Sequence, residues 1–296
     1  MKNKPIGFIG LGNMGGRITR RLVAAGHAVM GLDRAPDRAS ACGATLASSL
    51  AQVAQNCDLI FMSLPDSQVV ESVIKGPDGL LAHARPHQVV VDLSTASAQS
   101  TQSLAKLYTQ ARAQFIDAGI SGGAAAAEKG TLTLMVGGDL NTVEAVRPVL
   151  AAFSSKVVYM GESGTGHTTK LLNNFLNAVS LAATSEVMVA GKKAGLDLHC
   201  LLDVLNSSSG VNFATQNRFP RIVDGDYLEG GLTGKLMTKD VVLYVDLLHA
   251  LGITSLNAAG PMASFGLATA LGYGDQISNR VVDAIGDVSG GIRLKT

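Results

Sequence analysis

Short apolar runs alternate with polar or glycine-rich turns through the first 160 residues, and most runs lead into stretches whose apolar residues recur every three or four positions. The runs fall at 5–9, 28–32, 58–64, 89–93, 114–118, 131–136 and 156–160. Runs of this length, bounded by turn residues, read as strands, and the spacing between them reads as helix. Ile18, Leu22 and Val23 mark the first helix, and 143–153 carries a later one. Such alternation predicts an α/β domain built on a largely parallel sheet. From Gly164 strand-type runs cease and helical spacing continues to the C-terminus, interrupted at Gly195, at 206–210, at Gly230 and Gly231, and at Gly252. The prediction is an α/β domain over 1–163 and an all-α domain over 164–296, joined by one long helix from near Gly166 to about Ala194. Its apolar residues between Phe175 and Val189 spread nearly all round, which predicts burial between two bodies.

The first strand runs into Gly10, Leu11, Gly12, Asn13, Met14 and Gly15, and a helix follows. In that context G-x-G-x-x-G is a dinucleotide fingerprint. Gly10 permits the tight turn, Gly12 lets the backbone approach a pyrophosphate, and Gly15 lets helix and strand pack closely, with the phosphates at the helix N-terminus. Asp33 lies 33 − 10 = 23 positions beyond the first glycine, where a carboxylate accepts hydrogen bonds from ribose hydroxyls and repels a 2'-phosphate. NAD is therefore favoured over NADP, with Arg34 offsetting part of the repulsion.

Further cofactor contacts are expected where strands end: Leu64 and Pro65 after the third run, Thr95 after the fourth. The competing reading of Ser94 or Thr95 is a helix cap. After the fifth run, Gly119, Ile120, Ser121, Gly122 and Gly123 read as a polar glycine loop. Its free N–H groups and the Ser121 hydroxyl suit a carboxylate.

At the start of the long helix stand Lys170 and Asn174, four residues apart and on one face. A cation and a carboxamide on an otherwise apolar helix, at a domain junction, mark a ligand site. His167 is read as capping the start of that helix. Arg218 and Arg221 read first as surface or interface groups, the alternative being a grip on a second carboxylate or a sulfonate, since guanidinium suits planar anions.

Composition narrows the field. Lysine plus arginine number 24 against 23 acidic residues, a net charge of +1, which argues against a nucleic-acid groove. No uncharged apolar run is long enough for a membrane span, and no export signal is read at the N-terminus. Cys42, Cys57 and Cys200 show no CxxC spacing, so free thiols in the cytoplasm are expected and neither a disulfide framework nor a metal site is. Apolar character in the long helix and at 261–271 predicts a homodimer or homotetramer packed on the helical domain.

Five ordered motifs, GFIGLGNMG, DLST, SGG with AEKGTLTLMVGG, GTGHTTKLLNN and the pair Lys239-Asp240, resemble the β-hydroxyacid dehydrogenase family, the group of 3-hydroxyisobutyrate dehydrogenase and tartronate semialdehyde reductase. The resemblance covers nearly the whole chain. It implies an N-terminal Rossmann dinucleotide-binding domain, an all-α domain, an NAD or NADP cofactor, and a short 3-hydroxy acid or semialdehyde as substrate. It further implies that Lys170 is catalytic, that Asn174 orients the substrate, that Ser121, Gly122 and Gly123 take its carboxylate, that Thr95 flanks the nicotinamide, and that Lys239 lies near the cofactor with Asp240 steadying it. The chain departs from the family pattern at Gly119 and Ala98, where proline is usual, at Leu232 for phenylalanine, and at Gln276 for an acidic residue.

The alternatives are an imine reductase-like oxidoreductase, whose proton donor is usually aspartate or tyrosine where Lys170 stands, and a non-catalytic dinucleotide-binding scaffold, which would tend to lose the lysine. A 6-phosphogluconate dehydrogenase reading fails at Asn173, which occupies the position of that enzyme's histidine.

Overall fold

The computed structural model describes residues 4–295. Eight strands form one sheet: β1 (Ile6–Ile9), β2 (Val29–Leu32), β3 (Thr45–Leu46), β4 (Leu59–Met62), β5 (Val89–Asp92), β6 (Gln114–Ser121), β7 (Leu132–Gly137) and β8 (Ser154–Gly161). Seven α-helices lie between them among the described residues: α1 (Asn13–Ala24), α2 (Asp37–Ala41), α3 (Leu50–Asn56), α4 (Ser67–Lys75), α5 (Ala98–Gln110), α6 (Gly123–Lys129) and α7 (Leu140–Leu150). The long helix α8 (Thr165–Lys193) follows, then α9 (Leu198–Asn206), α10 (Phe213–Asn217), α11 (Phe219–Ile222), α12 (Gly234–Ala250), α13 (Ala259–Ala270) and α14 (Val281–Val288). An α/β part followed by an all-α part, with one long helix joining them, is the order expected from the hydrophobic pattern.

The strand order is β3-β2-β1-β4-β5-β6-β7-β8. Every pairing is parallel except β6 with β7, which is antiparallel. Strands β1, β4 and β5 are buried along their whole length because helices cover both faces of the sheet. That double covering is why they read as continuous apolar runs with no alternation. On one face Phe8, Phe61 and Phe153 pack ring to ring, at centroid distances of 5.9 and 5.7 Å. On the other, Ile60, Val90 and Phe115 meet Val53, Ile74, Leu104 and Tyr108.

Contacts divide the chain into two compact units, Met1–Lys170 and Leu171–Thr296, so the division falls inside α8. The second unit has its own core around Leu181, Met188, Phe219, Met237 and Phe265. Helix termini there follow local chemistry. Gly195, with φ +79°, ends α8, and Asp197 caps α9 by accepting the Cys200 N–H at 2.8 Å.

Two expectations need correction. β6 does not stop at residue 118: Gly119, Ile120 and Ser121 continue the strand, paired with Met135, Leu134 and Thr133 of β7. Antiparallel pairing with β7 satisfies the backbone that a glycine-rich reading assigns to a loop. Helix α8, in turn, is not covered all round. Leu172, Leu176 and Val187 lie exposed on it, a stripe set by 3.6-residue spacing that window-averaged hydrophobicity hides.

Candidate active site

The turn between β1 and α1 has the shape its glycines suggest. Gly10 has φ +87°, and a β-carbon there would meet the Ser63 carbonyl oxygen at 2.3 Å. A β-carbon on Gly15 would meet the Gly10 carbonyl oxygen at 1.9 Å, so only glycine lets α1 rest on β1. At Gly12 the nearest atom to a built β-carbon is a guanidinium nitrogen of Arg38 at 3.9 Å. Gly12 is the N-cap of α1 and supplies no side-chain cap. An open approach to a helix N-terminus lacking a side-chain cap fits a pyrophosphate. Of the middle residues, Leu11 is buried in the core, Met14 packs against it, and Asn13 is exposed with its side-chain oxygen held by Arg17.

Asp33 stands at the end of β2. One carboxylate oxygen accepts the Leu11 N–H at 2.7 Å and the other accepts the Ala35 N–H at 2.9 Å. Burial opposes its ionisation, but the two amides and the Arg38 guanidinium, 3.3 Å away, outweigh it and hold the carboxyl below its ordinary value. The arginine on Asp33 is thus Arg38, while Arg34 is exposed. Arg38 lies on α2, a five-residue helix too short to leave a periodic signature.

Leu64 packs its side chain beside Gly10 and donates its N–H to Ser94 Oγ at 2.9 Å, with exposed Pro65 next in the chain. Thr95 is half-buried. Neither Ser94 nor Thr95 caps a helix, because α5 begins at Ala98 with Ser97 as N-cap. The ends of β1, β2, β4 and β5 thus bring Gly10, Asp33, Leu64 and Ser94 to one edge of the sheet, where a doubly wound fold binds its ligand.

β6 supplies the next part. Asp117, Gly119 and Ser121 alternate along one face of it. A β-carbon on Gly119 would lie 2.5 Å from Lys170 Cβ, so the lysine stem runs directly over that residue. Ser121 ends the strand half-buried, and exposed Gly122 (φ +123°) and Gly123 (φ +66°) turn the chain into α6. A side chain at 122 would strike Ala126 at 2.5 Å, whereas the space beside Gly123 is open.

Asp117 is fully buried and accepts the Gly164 and His167 N–H groups, both at 2.8 Å. The cap of α8 is therefore Asp117, and His167 contributes a donor. Its ring is buried, with Nδ1 2.7 Å from Thr101 Oγ1 and Nε2 3.3 Å from the Asp92 carbonyl oxygen. Asp92, opposite Asp117 on β5, is also fully buried; one oxygen accepts the Ser94 N–H at 3.0 Å and the other has no hydrogen-bond partner among the described residues. Burial pushes its carboxyl above the ordinary value, against the pull of His167 and Ser94. In sequence Asp92 and Asp117 look like ordinary strand residues, since nothing local marks a carboxylate that caps a helix 47 residues away.

In the second unit Asn174 is buried and donates its amide to Asp240 Oδ2, while Lys239 Nζ lies 3.1 Å from Asp240 Oδ1. Asp240 thus ties the α8 carboxamide to the α12 lysine. Arg218 is held by the side-chain oxygens of Asn279 and Asn177 and lies 5.8 Å from the Phe213 ring centroid; burial lowers it to about 10. Arg221 is exposed and paired with Asp226, which leaves it a surface ion pair.

The family described as the NAD binding domain of 6-phosphogluconate dehydrogenase matches residues 5–161, and the one described as NAD-binding of NADP-dependent 3-hydroxyisobutyrate dehydrogenase matches 164–285. The mitochondrial 3-hydroxyisobutyrate dehydrogenase of Rattus norvegicus is 38% identical over 82% of this chain and 75% of its own. The chain belongs to the β-hydroxyacid dehydrogenase family. Among other relatives of this dehydrogenase is the 2-(hydroxymethyl)glutarate dehydrogenase of Eubacterium barkeri, 34% identical over 83% of this chain and 82% of its own. The solved structure of Mycobacterium tuberculosis 3-hydroxyisobutyrate dehydrogenase with L-serine superposes with a TM-score of 0.85 at 32% identity, covering 94% of this chain and 98% of that one. A solved imine reductase from Pseudomonas sp., at 22% identity and a TM-score of 0.64, shares the fold alone. This β-hydroxyacid dehydrogenase is accordingly an NAD(P)-dependent oxidoreductase. Among its described residues no helix is long and apolar enough to cross a membrane, and no cluster of His, Cys, Asp and Glu would hold a metal ion.

Proposed function

We propose that the chain catalyses reversible hydride transfer between a nicotinamide cofactor and a short 3-hydroxy acid or its semialdehyde, with Lys170 as general acid and base. The observation that carries this reading is the position of Lys170 over Gly119, on the strand that ends at Ser121. Two residues of strand span about 7 Å. A short 3-hydroxy acid placed there rests its carboxylate on the Ser121 hydroxyl and the N–H groups of Gly122 and Gly123 while its alcohol oxygen meets the lysine.

The bound nicotinamide supplies or accepts the hydride. Gly12 and the first turn of α1 hold the cofactor's phosphates, Asp33 its adenosine ribose, and Leu64, Pro65, Thr95 and Lys239 further parts of it. Lys170 gives a proton to the carbonyl oxygen in reduction and takes the hydroxyl proton in oxidation. Asn174, one turn further along α8 and held by Asp240, orients the substrate. NAD is the preferred cofactor, because an ionised Asp33 repels a 2'-phosphate.

The assembly is a homodimer or homotetramer built on the second unit. Among the described residues, Leu46, Leu140 and Met160 are the large exposed hydrophobics of the first unit, and the second carries many more, including Leu176, Phe213 and Leu256. The free thiols of Cys42, Cys57 and Cys200 fit a reducing compartment, here taken as the cytoplasm.

A panel of short 3-hydroxy acids and semialdehydes, assayed with both cofactors, tests the reaction. Lys170→Ala should abolish turnover and keep NADH binding; normal turnover by that variant would refute the role. Oxidation should also quicken as pH rises, since the lysine acts there as a base.

A further inference from the structure

We propose that Asp117 is the positioning residue of this active site, its buried carboxylate setting where Lys170 stands relative to the Ser121 end of the same strand. The inference rests on the reading of Lys170 as proton donor and acceptor.

A helix leaves its first N–H groups without intrahelical partners, and a buried start needs acceptors for them. In α8 two of these donors, from Gly164 and His167, go to the two oxygens of one carboxylate, each at 2.8 Å. A side chain from within the helix start would cap α8 but leave it free to slide on the sheet. Asp117 instead sits in the middle of β6, 47 and 50 residues from its donors. The strand in turn is locked on both sides, to β5 through the Asp92–Asp117 register and to β7 through Asp117–Gly137. Each oxygen takes one N–H, so both the height and the rotation of the first helical turn are specified.

The surrounding glycines give the same answer. A β-carbon on Gly166 would lie 2.7 Å from the Asp117 carbonyl oxygen and 2.4 Å from that of Met135, so α8 rests directly on β6 and β7. One on Gly137 would lie 2.8 Å from Asp117 Oδ1, which reserves the space the carboxylate fills. Three residues past His167, a rise of about 4.5 Å, the chain reaches Lys170 above Gly119, two residues along β6 from Asp117. Two residues more along that face is Ser121. One strand face therefore carries the helix cap, the bed of the lysine and the hydroxyl at its end in a fixed sequence.

The groups around this cap are Asp92 from β5, Thr101 from α5 and His167 from α8 itself. Thr101 and the Asp92 carbonyl hold the His167 ring, so the residue donating to Asp117 is restrained through its side chain as well. None of the three reaches the second orphan donor, at Gly164, which depends on Asp117.

Asp117→Asn keeps the shape and one acceptor but turns an amide NH₂ toward a backbone N–H, so the first turn of α8 must shift. An ångström of misplacement at a reacting group costs up to about 100-fold in rate. Measured below its melting temperature, Asp117→Asn should lose about 10- to 100-fold in kcat, with the NADH dissociation constant and the cofactor KM within about twofold of wild type. A role confined to stability would lower the melting temperature and the folded fraction but leave kcat per folded site unchanged, and that result would overturn the proposal. Lys170→Ala, run in parallel, separates the two levels: normal turnover there removes the underlying reading, whereas an inactive Lys170→Ala beside a fully active Asp117→Asn removes the positioning role alone. Should Asp117→Asn fail to fold, hydrogen exchange of the wild-type Gly164 and His167 amides decides the matter. Protection like that of the central strands supports the cap, and exchange as fast as exposed turns refutes it.

Discussion

Gly119 and Lys170 stand so close that a β-carbon on residue 119 would lie 2.5 Å from Lys170 Cβ and 3.1 Å from its Cγ. Gly119→Ala must therefore lift the lysine or push α8 off the sheet. We expect kcat to fall at least about 10-fold while the cofactor KM holds. Steady-state kinetics beside an NADH titration checks this; an alanine variant with wild-type kcat would show that the close approach has no catalytic meaning. The glycine stands where the family pattern has proline, and the absence of any side chain is what lets α8 lie this near.

Gly15→Ala meets backbone, the Gly10 carbonyl oxygen at 1.9 Å, and no flexible side chain can yield there. The cost should approach the upper end of overpacking, about 3 kcal/mol, with cofactor affinity lost alongside. Urea melts and NADH titration read both. A variant of normal stability would mean that α1 does not rest on β1 as described.

Asp33 and Arg38 should act in opposite senses on cofactor choice. Removing the carboxylate charge in Asp33→Asn relieves repulsion of a 2'-phosphate, so the ratio of kcat/KM for NADP to that for NAD rises. Arg38→Ala leaves the carboxylate less screened, and the ratio falls. If both substitutions moved the ratio the same way, the pair would not be the discriminating element.

Asp92 should leave a mark on the pH dependence of stability. Complete burial raises its carboxyl above the ordinary value of 3.8, so the folded state keeps the proton to higher pH than the unfolded chain does. Its contribution to stability is therefore fully present below the unfolded value and is lost as pH rises through the folded one. Relative to Asp92→Asn, the wild type should be most stable in acid and lose that advantage as pH rises. Calorimetric melting temperatures of both proteins across pH 4 to about 8 test the sign; a constant gap would refute it.

Much of this was readable from local chemistry. The turn at Gly10 and the close packing at Gly15 follow from strand, turn and helix in succession, and the stop at Gly195 is equally local. Non-local interactions were not readable. Ile120 reads as loop because its neighbours are glycine and serine, yet pairing with Leu134 makes it strand. His167 reads as a cap from its place at a helix start, whereas the cap comes from Asp117, far back in the chain. Nothing local in the sequence marks Arg38, on a helix too short to leave a periodic signature, as the partner of Asp33.

Within the described sheet the one antiparallel pairing, β6 with β7, sets the direction from which α8 is delivered. Because β8 runs with β7, it ends with Gly161 opposite Gly137, level with Asp117 and with the last residues of β1, β4 and β5. Helix α8 starts at that depth and climbs beside β6, from Gly166 over Asp117 to Lys170 over Gly119. The connection between Gly161 and α8 is three residues, 162–164. The phase is set within α8 itself: one residue inserted between His167, which donates to Asp117, and Lys170 would rotate the lysine side chain by about 100° around the helix axis. The stretch from His167 to Lys170 is a keyway that admits one register.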